Sequence, residues 1–276
     1  MTFHPSFKIK LGLRTPGKRG GLTSTSRFRR AQQAWAPSRL LLNLKNIPYQ
    51  TEWISYPDIE RTFKRIGIDP TTKRTDGRDL YTCPAIIDPT SPEPTRIADS
   101  TYIAEYLDSA YSEARYGPSL FPGNSKTAQL AFIDDILTPV AKAMRDLVLP
   151  LVPYVLEDPR GSEYYLETKR GNGGETLDRL CTSESASRAA AIKLLERNLD
   201  LVARCYDTHP DGENYLYLGD GIAYVDIWLM GNFLWARFIP SDRDGEAGSV
   251  WDIIKSLNGG RWMRLMETFE SHLQIW

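Results

Sequence analysis

The sequence predicts an α/β domain built on a small mixed sheet, followed by an all-α domain. Three observations lead there. Between residues 38 and 111 short helical and strand-like stretches alternate. From residue 126 onward the long apolar stretches follow the helical period, and no strand pattern recurs after YLYLGD at 215–220. Between the halves lies YSEARYGPSLFPGNS, 111–125, whose Gly, Pro and Ser content marks a boundary.

In order, SFKIKLGLR (6–14) alternates apolar and basic residues and is the candidate first strand, while 15–34 has loop composition. SRLLLNLKNIPY (38–49) is a short helix that must stop before Pro48. YQTEWIS (49–55) has the two-residue strand period. In PDIERTFKRIG, Pro57 suits a first helical position, Asp58 and Glu60 favour the positive helix end, and Gly67 and Pro70 close the helix. A turn in DGRDLYTCPAIIDP leads to a strand near 84–88, and TRIA (95–98) is its partner. STYIAEYLDSAY then places Ile103, Ala104, Leu107 and Tyr111 on one helical face. With the first strand in front, the order is βαβαββα, that of a thioredoxin-like fold. The second half reads as helices over 126–156, 183–207, 223–238 and 259–273; that at 223–238 is apolar nearly all round and therefore buried. The domains are accordingly 34–112 and 125–276, preceded by a segment 1–33.

Composition narrows the chemistry. Cys83, Cys181 and Cys205 are too far apart for a CxxC motif or a disulfide framework, and His4, His209 and His272 are scattered, so no metal site is expected. No apolar run is long enough to span a membrane. Ten basic residues and no acid precede Glu52, against 24 basic and 35 acidic residues from there on. Residues 1–33 read three ways: an extra basic tail, a mitochondrial transit segment, or a product of wrong exon translation. No groove-reading or aromatic motif accompanies the basic residues, so no nucleic-acid partner is expected. The scattered cysteines point to a reducing, cytoplasmic compartment, with a mitochondrial one as the alternative if the basic segment is a transit peptide.

The chemistry concentrates in YTCPAIIDPTSPEPTRIADS, 81–100. A proline opening the third strand of such a sheet is often cis, which leaves the N–H and C=O of the residue before it, here Cys83, to pair with an extended peptide. Asp99 and Ser100 stand where the next helix begins, and the amides of that helix end form a carboxylate seat. Ser100 can donate to the same carboxylate, and Asp99 can hold an ammonium group. A γ-glutamyl tripeptide carries all of these groups. Read one at a time, Asp99 and Ser100 are ordinary helix caps and Pro84 an edge-strand proline, while Cys83 reads as a nucleophile only if a partner cysteine or basic neighbour stands beside it, and the sequence offers neither.

The stretches AWAPS (34–38), NIPYQTEWISYPDIE (46–60), LYTCPAIIDP (80–89), IADSTYIAEYLD (97–108), YYLETKRGNGGETLDRL (164–180) and IIKSLNGGRWMRL (253–265) resemble the cytosolic-type glutathione transferases. Within them they are most similar to the fungal class related to bacterial β-etherases and to Ure2-like proteins. The resemblance implies a thioredoxin-like N-terminal domain and an all-α C-terminal domain, with glutathione as co-substrate and no metal. It implies addition of the glutathione thiolate to a small hydrophobic electrophile, or glutathione-dependent ether or thioether cleavage, in detoxification or secondary metabolism. It makes Cys83, Pro84, Asp99 and Ser100 the glutathione-binding residues, and it allows a homodimer.

The chain departs from the family at the first helix. The family's loop resembles AWSPNTW, whereas this chain has AWAPSR, so Ala36 stands for the expected Ser and Ser38 is the nearest hydroxyl for the thiolate. The helix that follows is about one turn short. Ala223 in AYVD likewise stands where the family has a Ser or Thr cap three residues before an Asp, here Asp226, and its loss costs about 1 kcal/mol. Trp35 and Trp235 are candidates to line a hydrophobic pocket. These departures support a second reading, a non-catalytic binding or regulatory protein of the same fold. A thiol–disulfide oxidoreductase is disfavoured because the first-helix loop has no cysteine.

Overall fold

The computed structural model describes residues 7–12, 37–156, 158–170, 186–207, 215–219, 221–239 and 249–273. Trp35, Ala36 and Cys181 lie outside the described residues, as does segment 1–33 apart from 7–12.

The chain enters the sheet at β1 (Phe7–Gly12). β1 runs parallel to β2 (Tyr49–Ile54), in the register Phe7↔Tyr49 to Gly12↔Ile54. The hydrophobic helix α1 (Pro37–Leu44) connects them, buried from Ser38 to Leu44. A single 3-10 turn, Tyr56–Asp58, leads into α2 (Ile59–Ile66), which ends at Gly67. A two-residue ribbon follows, β3 (Thr72–Lys73) with β4 (Asp79–Leu80). β5 (Ala85–Asp88) and β6 (Thr95–Ala98) then complete a sheet of order β2-β1-β5-β6, with β5 antiparallel to both neighbours. α3 (Ser100–Ala110) closes the α/β domain.

Strand alternation distributes the two faces. Ala85 packs with Phe63 of α2 in one small core, while its neighbour Ile86 joins the large core shared by α1, α3 and the helical domain. β1 lies inside the segment 1–33 that the sequence pattern sets apart from the first domain. Its place between β2 and β5 makes part of that segment an inner strand of the sheet, so the domain begins before residue 34.

The helical half is more broken than its apolar pattern suggests. α4 (Lys126–Phe132) passes through a π turn, Ile133–Leu137, into α5 (Thr138–Val148). Pro150 then sits in a 3-10 turn before α6 (Val152–Val155). A proline has no N–H to continue the α-helical ladder, which accounts for the change of pitch. α7 (Pro159–Arg170) has no counterpart in the sequence reading. Among its described positions only Gly161 and Tyr165 are buried, so it carries no apolar stripe. α8 (Ala186–Tyr206), α9 (Tyr224–Phe238), α10 (Val250–Ile254) and α11 (Arg261–Thr268) complete the domain. α9 is its axis: Tyr224, Val225, Ile227, Leu229, Met230 and Phe233 are fully buried.

Two glycines set how closely the parts approach. A Cβ on Gly231 of α9 would come 2.6 Å from the ring Cγ of Pro37, so α9 rests directly on the start of α1. Gly117, in the connection between the domains, has φ 77°, and a Cβ there would collide with the carbonyl oxygen of Leu44. The end of α1 is also held by a buried ion pair: Lys45, 1% exposed, places Nζ 2.9 Å from Asp108 Oδ1 and 3.3 Å from the Tyr111 carbonyl. Burial works against ionisation of Asp108. The Leu120 amide, Lys45 and Ser119 outweigh it and hold the carboxyl below its usual range. The ion pair and its amide partner thus bind α1, α3 and the interdomain connection together.

Candidate functional site

The site lies at one end of the sheet, where β5 begins, β6 ends and α3 starts. The Cys83–Pro84 peptide bond is cis. The β5–β6 ladder starts at Ala85↔Ala98, so Cys83 and Pro84 lie just beyond it on one strand and Asp99 on the other. The Asp99 N–H donates to the Pro84 carbonyl across this gap at 3.3 Å. Sequence distance is thereby cancelled, and the cis-proline turn and the helix head become neighbours.

Asp99 has φ 80° and ψ 131°, a backbone conformation that L residues rarely adopt and that costs about 1–3 kcal/mol. Its side chain partly offsets that cost by accepting the Thr101 N–H at 2.8 Å, and its carbonyl accepts the Ile103 N–H at 3.0 Å. The N–H and hydroxyl of half-buried Ser100 remain at the positive end of an 11-residue helix. At the opposite end of β5 from the site lies the buried carboxylate of Asp88. Desolvation opposes its charge, but hydroxyls of Tyr106, Tyr111 and Thr90 and the Thr90 amide together hold its pKa below the ordinary value. That network fixes the far end of β5 to the second half of α3.

Residues on either side of the site tie it to the helical domain. Tyr56 lies beside Cys83; burial, with Cys83 as neighbour, holds its phenol well above the usual range. Its ring packs on Tyr165 of α7, centroids 5.8 Å apart. Ser55 donates to Asp158, and Arg160 reaches Asp58 at 3.3 Å. On the other side Tyr224, the first residue of α9, sets its hydroxyl 3.0 Å from Thr101 Oγ1. No sequence signal marks Tyr56 or Tyr224 as a site residue: Tyr56 comes beside Cys83 through the folding of the α/β domain, and Tyr224 comes beside Thr101 through contact between the domains. Among the described residues no group of His, Cys, Asp and Glu is arranged to hold a metal ion, and no helix is long and apolar enough to cross a membrane.

Residues 37–110 match the family model of the glutathione S-transferase N-terminal domain, and residues 127–272 that of the C-terminal domain. The chain belongs to the glutathione S-transferase family. Glutathione S-transferase-like protein ustS of Aspergillus flavus is 29% identical over 77% of this chain and 79% of its own length. The crystal structure of glutathione transferase GSTFuA2 from Phanerochaete chrysosporium superposes with a TM-score of 0.81 at 30% identity, covering 99% of this chain and 100% of that one. A glutathione S-transferase of Ceriporiopsis subvermispora, solved in complex with glutathione, has TM-score 0.78 at 27% identity over 97% and 98%.

The structure describes the surroundings of two positions at which the sequence reading expects a departure from the family. Ser38, the hydroxyl nearest the expected thiolate position, lies in the first turn of α1 and is fully buried, and its Oγ has no hydrogen-bond partner among the described residues. The shortened helix is nonetheless seated, packed between α3 and α9. At the head of α9, Ala223 offers no side-chain cap, yet the end is not left open. Buried Gln129 of α4 accepts the Val225 N–H at 3.0 Å and donates to the Leu120 carbonyl at 3.1 Å. Leu120 O in turn accepts the Tyr224 N–H at 3.0 Å. Asp226 accepts the N–H of Ala223 and of Tyr217, both at 2.9 Å. The cost expected from losing the serine-type cap is therefore met by a side chain from another helix. Burial raises the Asp226 carboxyl to about 6 despite these bonds.

Proposed function

We propose that the protein is a glutathione transferase that seats glutathione across Cys83–Pro84 and the head of α3, and adds its thiolate to a small hydrophobic electrophile. The observation that carries the reading is Asp99, held at φ 80° against the cis-proline turn. That conformation sets a helix end and a carboxylate beside a strand end, an arrangement that suits the carboxylate and ammonium of a γ-glutamyl group. In this reading the Cys83 backbone pairs with the cysteinyl residue, Pro84 shapes the turn, Ser100 and its amide hold the γ-glutamyl carboxylate, and Asp99 faces the ammonium group. The scattered cysteines of the sequence favour a reducing, cytoplasmic setting.

Ser38 is the proposed thiolate partner, and that role needs access to a hydroxyl closed to solvent in this structure. Its burial favours a second reading, in which glutathione binds and no electrophile is turned over. Calorimetric titration with glutathione, beside Ser100→Ala, tests the seat: saturable binding that weakens in the variant supports it, and a folded protein that does not bind overturns it. A conjugation assay with an aromatic halide, comparing wild type with Ser38→Ala, then separates the two readings. Turnover lost in the variant supports the enzyme; no turnover by the wild type supports the binder.

A further inference from the structure

A groove of about 600 Å³ lies between α2, the β3–β4 ribbon and α7, and it shares no lining residue with the proposed glutathione seat. Its cations are Lys64 of α2 and Lys73, Arg74 and Arg78 of the ribbon; its carboxylates are Glu60 and Asp79. α7 adds Tyr164 and Thr168. The α/β domain thus supplies the charge, and the helical domain a polar wall.

The ribbon holds its cations in place. Gly77, at φ 82°, closes the turn by donating its N–H to the Arg74 carbonyl at 3.0 Å, and the Arg74 N–H donates to the Arg78 carbonyl at 2.8 Å. At the base of the ribbon the N–H and hydroxyl of Thr82 both donate to Thr71 Oγ1, at 3.1 and 2.8 Å. Lys64 Nζ lies 2.7 Å from Glu60 and 5.5 Å from the ring centroid of Tyr81. Lys73 is 2.7 Å from Asp79, and Arg78 is 2.6 Å from Asp76, which stands outside the lining. These pairs are exposed and contribute only about 0–1 kcal/mol each, so their cations are readily shared with a ligand. Arg74 is half-buried and has no ion-pair partner among the described residues.

Four cations against two carboxylates leave the lining with positive charge in excess. A cleft lined by one sign of charge focuses its field on the space between the walls. We propose that this groove is a binding site for a small organic dianion, a dicarboxylate or a phosphate monoester. Arg74 grips it with the planar fork of its guanidinium, and Lys64 and Lys73 hold it as point charges. Tyr164 can donate its hydroxyl to the same anion. The next residue of α7, Tyr165, packs on Tyr56 beside Cys83. A dianion that bridges the ribbon and α7 therefore clamps α7 to the α/β domain. The site does not depend on the glutathione reading.

The test is calorimetric titration at constant ionic strength with succinate, glycerol phosphate and acetate, on wild type, Arg74→Gln, Arg115→Gln and Ser100→Ala. Arg115 is an exposed cation outside the groove. The expected result is saturable binding of at least one dianion and none of acetate, with affinity about tenfold lower in Arg74→Gln and unchanged in the other two variants. The dianion that binds more tightly tells a dicarboxylate from a phosphate monoester. No saturable binding by wild type, acetate binding as well as the dianions, or equal losses in Arg74→Gln and Arg115→Gln overturns the site. A loss in Ser100→Ala places the anion at the head of α3 and overturns it as well. Arg74→Gln without ligand should unfold at the wild-type temperature, which separates lost affinity from lost fold. Amide exchange over residues 159–170 is then compared with and without the dianion. Slower exchange supports the clamp, and unchanged exchange overturns it.

Discussion

Replacing Gln129 by leucine tests how the head of α9 is held. Gln129 is fully buried, and its Oε1 is the acceptor for the Val225 N–H. Leucine preserves bulk and removes that acceptor, leaving a buried amide unpaired at a cost of about 1–3 kcal/mol. The Leu120 carbonyl does not add to the penalty, because it still accepts the Tyr224 N–H. The net loss works out at about 2 kcal/mol, the middle of that range. With a urea slope of about 2.5 kcal/mol per M, the unfolding midpoint falls by about 0.8 M at unchanged slope. The decisive arm is Ala223→Ser. A serine there can cap α9 directly, so it should recover about 1 kcal/mol in the Gln129→Leu background and almost nothing in wild type, where the amide is already satisfied. A loss below about 0.5 kcal/mol, or the same serine effect in both backgrounds, would refute the reasoning.

Two further outcomes follow from the packing and the charges. Gly231→Ala improves helix propensity by about 1 kcal/mol but drives a methyl into the ring of Pro37, which cannot rotate away; overpacking of this kind costs about 1–3 kcal/mol, so the thermal midpoint should fall by about 3 °C, and a rise would show that α1 and α9 are not in close contact. Asp226 has a folded pKa raised from 3.8 to about 6, so between those values the folded state holds a proton that the unfolded state has lost. Its contribution is therefore fully present below about pH 4 and is lost as pH rises through 6, at about 1.4 kcal/mol per pH unit. Unfolding free energies of wild type and Asp226→Asn at several pH values from about 4 to about 7 should differ by an amount that shrinks across that window; a constant difference would mean that Asp226 is ionised in the fold throughout.

Much of the α/β domain was legible because prolines and glycines punctuate it. TRIA is a strand at 95–98 as its pattern requires, and α3 begins at Ser100, directly after the predicted cap. The pairing of a cis-proline with Asp99 was legible too, since both residue types sit at fixed positions in the element order. α7 was not, because a helix that buries little more than Tyr165 leaves no periodic trace. The joint in the long helical run at Ile133–Leu137 was also invisible: a π turn changes pitch without changing residue types.

Residues 81–100 by themselves determined the local geometry, a cis-proline turn and an Asp-capped helix head, because these are local properties of the chain. The tertiary structure alone decided what stands around that site. β1 takes an inner position across a long connection, Ser38 is buried in α1, and Gln129 replaces a cap that Ala223 cannot make. Tyr224 reaches Thr101 across 123 residues of sequence. Each of these depends on which surfaces are buried against each other, and burial is settled by the packing of the whole chain.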